Sequence, residues 1–107
     1  MFSPSVAQAR RLEAQARRKS ELYRALKREL PVRLTARQKI ALNRAVNLTH
    51  KAELAALDPD ITANDLVRLD RCAAAARAAW SRVADTHKQQ HREAVPTLQE
   101  LMAGAHG

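Results

Sequence analysis

Glycine is almost missing from this chain. Its 107 residues include two, Gly104 and Gly107, both within the last four positions. Nothing upstream supplies the positive-φ positions that tight β-hairpins need, and no stretch alternates β-branched with polar residues. Both absences argue against a β-rich fold. Cysteine occurs once, at Cys72, so neither an intramolecular disulfide nor a Cys-x-x-Cys metal clip can form. Three aromatic residues, Phe2, Tyr23 and Trp80, make a thin inventory for a monomeric core. No run approaches the ~20 apolar residues of a membrane span, and the N-terminus has no apolar leader segment. The expected location is cytoplasmic. A Gly-rich phosphate loop, His-Glu-x-x-His and Gly-x-Ser-x-Gly are all missing. No serine or cysteine stands in the context of an activated nucleophile. The expectation is a protein that is not an enzyme and carries no cofactor.

What remains is rich in Ala, Arg, Leu and Gln, all of which favour helix. Prolines at 31, 59 and 96 punctuate the chain. The expected fold is all-α: a basic N-terminal helix and linker over 1–33, a long helical hairpin over 34–95, and a short tail over 96–107. Thr35 with Gln38 at N3 forms a capping box for the first hairpin helix, 36–57. Asp58-Pro59-Asp60 stops it, because Pro59 lacks an amide hydrogen and biases Asp58 away from helical dihedrals. Thr62 caps the second helix, with Asp65 at N3 and Ile61 and Leu66 placed as a staple. That helix covers 63–84 and continues toward Val95.

The apolar pattern of the hairpin is wider than a hairpin needs. Ala41, Ala45, Leu48 and Ala52 make one seam on the first helix. Leu66, Leu69, Ala73, Ala76, Trp80 and Val83 follow a three–four repeat on the second. Leu42, Val46, Leu54 and Leu57 lie off the first seam. Val67, Ala74 and Ala78, with Cys72, Ala75 and Ala79 beside them, lie off the second. A helix apolar on most sides is buried on more than one of them. Small chains with thin cores are often stabilised by association. The two seams are therefore read as homo-oligomerisation surfaces.

Charge is the strongest global signal. Residues 1–44 hold 12 Lys/Arg against 3 Asp/Glu, and residues 45–107 hold 7 against 8. A basic half beside a near-neutral half suggests that one end meets a polyanion. A helix opened by Ser5 and Gln8, or by Ser3 before Pro4, runs to about Leu30, with Val6, Ala9, Leu12, Ala16, Tyr23, Leu26 and Leu30 as its apolar face. Arg10, Arg17 and Arg24 repeat every seven residues along it, Arg11, Arg18 and Lys19 lie beside them, and Lys27 and Arg28 continue the line. Guanidinium forks suit phosphate oxygens. Glu13 and Glu21 are spaced to pair with Arg17 and Arg24. With no aromatic ladder for single strands, duplex DNA is the expected ligand, bound largely without sequence preference. Helices this long, joined through proline, do not fit a helix-turn-helix.

Two features are weaker. His87 and His91 stand at i, i+4 with only Asp85 or Glu93 near as a third ligand, and a solvated helix extension is the preferred reading over a metal. The tail carries Leu98, Leu101 and Met102 behind Thr97 and Glu100. It reads either as a frayed end or as a short motif that folds on a partner.

The hairpin, with Leu34-Thr35-Ala36-Arg37-Gln38 at its start and an Ala-rich helix after Asp65-Leu66-Val67-Arg68-Leu69-Asp70-Arg71, resembles the small terminase subunits of tailed phages and phage-like gene-transfer particles. The resemblance covers about 34–83. It implies a ring-forming helical core, DNA engagement during packaging, and regulation of a large terminase subunit that carries ATPase and nuclease. Leu98, Leu101 and Met102 would then recruit that motor. The chain departs from the fuller family pattern in showing neither a helix-turn-helix before the hairpin nor a β-rich segment after it, so packaging-site recognition is not expected. Two other readings fit the residues: a small basic nucleoid or regulatory DNA-binding protein, and a helical-hairpin protein-interaction module.

Overall fold

A computed structural model describes the backbone of residues 5–94 and the side chains of 5–91. The fold is all-α, with no strand among the described residues: α1 (Val6–Lys27), α2 (Ala36–Ala56) and α3 (Ala63–Ala94). Each start is set by its sequence. Ser5 and Gln8 form a full capping box on α1, and Thr35 and Gln38 form one on α2. Thr62 Oγ1 accepts the Asp65 amide of α3 at 3.1 Å. The Asp-Pro-Asp turn is held by the Asp58 carboxylate, which accepts the Asp60 amide at 2.9 Å. α2 and α3 therefore fold back on each other as the sequence leads one to expect.

The α1–α2 connection is more than a linker. The Lys27 ammonium donates to the carbonyls of Leu30 (3.0 Å) and Val32 (2.6 Å), neutralising acceptors left open at the helix end. This curls the chain so that Leu30 and Leu34 enter the core, at 1% and 7% exposure. There they join Leu42, Ala45 and Val46 of α2 and Ala76, Trp80 and Ala84 of α3. The core thus lies in the half of the hairpin remote from the Asp-Pro-Asp turn. Trp80 is fully buried, and its indole N–H donates to the Leu26 carbonyl at 2.8 Å. Burying an indole needs such an acceptor, and here the acceptor is in the last turn of α1. Ser81 Oγ donates to Glu29 at 2.9 Å, fixing the same junction.

Two expectations from the sequence are corrected in part. The expected α1 face holds at its C-terminal end, where Leu26 packs on the core and Leu30 is buried in it, but Val6, Leu12 and Tyr23 stay exposed at 70%, 61% and 36%. Leu22 packs on the core beside Leu26, in a direction set by Trp80 at the end of α1 and by an ion pair in its middle. The oligomerisation seams are also already occupied within one chain. Ala45, Ala52, Ala73, Ala76 and Trp80 are buried, and Ala41, Leu48, Leu66, Leu69 and Val83 are half-buried. Ala45, Ala76 and Trp80 belong to the core and Ala41, Leu48 and Val83 pack against it, so these side chains are covered largely within one chain, although Ala41 and Ala76 also border an open groove.

The molecule is long. Its radius of gyration is 20.4 Å and its extents are 76 × 33 × 18 Å, against a radius of roughly 13 Å for a compact 100-residue domain. Ala14 and Gln15 sit beside Leu57, the C-cap of α2, so the first turns of α1 project past the hairpin tip. No helix among the described residues is long and apolar enough to cross a membrane.

Candidate nucleic-acid interface

The packing of α1 decides which of its cations face water. Leu22 and Leu26 set the inward direction. At about 100° of rotation per residue, Arg10, Arg17, Arg24 and Arg28 fall together on the opposite side. All four are exposed, and none takes part in an ion pair among the described residues. Arg10 and Arg28 are separated by about 27 Å of helix rise, at ~1.5 Å per residue. The stripe is therefore straight, outward and long enough to follow most of a turn of duplex, whose pitch is about 34 Å. Arg11 and Lys19 are exposed as well, but the same rotation puts them on the Leu22 and Leu26 side of the helix, away from the stripe.

Two of the eight cations read as phosphate contacts are engaged inside the fold. Arg18 binds Glu53 of α2 through two parallel hydrogen bonds, Nε–Oε2 at 3.0 Å and Nη2–Oε1 at 2.7 Å. Its Nη1 also reaches Glu21 at 3.4 Å. The hydrogen bond from Arg18 holds the Glu53 carboxyl below the usual glutamate range, against a smaller opposing effect of burial. Glu53 in turn raises the Arg18 pKa through that hydrogen bond and through charge. Arg18 is thus the tether of α1 to α2. Glu21 pairs with Arg18 where Arg24 was expected, leaving Arg24 in the stripe. Lys27, half-buried, caps the α1–α2 connection as described.

Two further polar contacts join α2 to α3. Arg77 Nη1 donates to buried Thr49 at 2.9 Å. Gln38 closes the α2 capping box, and its amide nitrogen lies 3.2 Å from Nδ1 of His87, joining the start of α2 to α3. His91 is exposed, and no group of three potential metal ligands occurs among the described residues. Leu98, Leu101 and Met102 lie outside the described residues.

The sequence carried the stripe as a seven-residue repeat. It did not carry the partner of Arg18, because Glu53 is 35 positions away and no local spacing announces it. Leu26 and Leu30 were read on the inward face and pack there; Leu22, four residues before Leu26, was the missed sign. The chain matches no family model, no curated protein and no solved structure in the comparisons made.

Proposed function

We propose that this protein is a non-enzymatic DNA-packaging adaptor of the small-terminase kind, which binds duplex DNA through the outward arginine stripe of α1. The observation that carries the reading is that Arg10, Arg17, Arg24 and Arg28 share the exposed side of one helix while carboxylates hold Arg18 elsewhere. A row of guanidinium groups with no base-reading helix favours phosphate contact over sequence readout. Affinity then comes mainly from released counterions and depends steeply on salt.

The adaptor role adds two steps. Several copies associate, so that many weak stripes act on one duplex with a combined affinity none has alone. The exposed Leu57 and Val67, at 81% and 48%, support association through faces other than the α2–α3 seam. The assembly then recruits or regulates the large terminase ATPase/nuclease, with Leu98, Leu101 and Met102 as its contact.

Binding to two unrelated duplexes and to a single strand, together with the mass by light scattering, tests this reading. Equal affinity for the duplexes, weaker binding of the single strand and a mass several times 11.9 kDa are expected. A marked preference for one duplex would replace packaging with site recognition. A monomer would leave a small nucleoid-type binder.

A further inference from the structure

α1 covers one face of the α2–α3 hairpin, and a groove runs along the other. Arg37 and Arg44 lie on the opposite side of α2 from Glu53, which Arg18 of α1 holds. On α3, Ala79 and Ser81 are two residues apart and point to opposite sides, and Ser81 faces the α1 connection. The groove has two continuous sections that share Arg37 and Ala79, about 500 Å³ and 610 Å³. Its floor is Ile40 with Cys72, Ala75 and Ala79, small side chains that let another helix approach closely. From Cys72 to Gln90 it follows α3 for about 27 Å, the length of a five-turn helix.

The rim decides the occupant. Arg37, Arg44 and Arg82 line the two sections, and no carboxylate does. The protein's own spare helix face, on α1, would bring more arginine into this field, and a second copy adds a net charge of +8. We propose that the groove seats an acidic amphipathic helix of a partner protein. Its apolar side rests on Ile40, Ala75 and Ala79, and its flanking carboxylates pair with Arg37, Arg44 and Arg82. This rests on the adaptor reading only in requiring a protein partner. The groove and the stripe lie on different sides of the molecule, so duplex and partner can be held together.

Cys72, the single cysteine, is exposed and lines the groove, which makes its alkylation by iodoacetamide a local reporter. The probe is an 18-residue helical peptide with leucines along one face and glutamates flanking them. Saturating peptide should slow alkylation at least tenfold in the full chain. The same peptide with lysine for glutamate should give no protection, and Arg44→Glu should abolish protection by the glutamate peptide. No protection, or equal protection by both peptides, would overturn the proposal. Protection by a 20-base-pair duplex alone would make the occupant nucleic acid, and protection rising with protein concentration alone would make it a second copy. Duplex affinity of Arg44→Glu should stay within about threefold of the parent. Loss of duplex binding in stripe variants that keep Cys72 protection would separate the two readings.

Discussion

Neighbouring arginines on α1 have unlike roles, and single substitutions separate them. Arg17 is outward and makes no ion pair among the described residues; Arg18 is held by Glu53. Arg17→Ala should weaken duplex binding and leave the melting temperature within about a degree, since isolated surface changes move stability little. Arg18→Ala should lower the melting temperature and loosen α1, read as faster proteolysis near its N-terminus. Glu53 adds a sign in pH. Its folded carboxyl is held below the ordinary range by Arg18, so the pair stabilises the fold above that range and loses its effect as pH falls through the lowered value. Glu53→Gln should melt below the parent at pH 7, with the difference closing in acid. Trp80 joins α1 to α3 by one hydrogen bond. Trp80→Phe should cost about 1–2 kcal/mol for the lost bond, and Trp80→Ala about 3–5 kcal/mol, by urea denaturation followed at 222 nm.

The helices were legible where the signal was local. Ser5–Gln8, Thr35–Gln38 and Thr62–Asp65 set three starts at short range, and Asp-Pro-Asp set the turn. Thr35→Ala should cost about 1 kcal/mol, more than Ser5→Ala, because α2 is built into the core while the first turn of α1 projects from it. What was not legible was the use of each face. Two seams rich in alanine look alike whether they meet in one chain or between chains, since composition carries no record of which copy supplies the partner. The α1 face was legible at Leu26 and Leu30 and misread at Val6, Leu12 and Tyr23. Its inward side is also fixed by Glu53 and Trp80, 35 and 54 positions from their α1 partners, which no local spacing announces.

At the scale of the molecule, the fold separates charge from packing. The core gathers around Trp80 in one half of the hairpin, and the stripe arginines of α1 run along an outer edge of a body 76 Å long. The elongation gives a modest chain a long basic surface, which suits a polymer ligand better than a small one. The central claim is that this surface binds duplex through the four stripe arginines. The salt dependence of duplex affinity in the parent and in Arg17→Ala/Arg24→Ala tests it most directly. Four phosphate contacts give a slope of log affinity against log salt of about −4 per protomer, and removing two should make it shallower by about 2. A flat parent slope, or one that the double substitution leaves unchanged, would contradict the account.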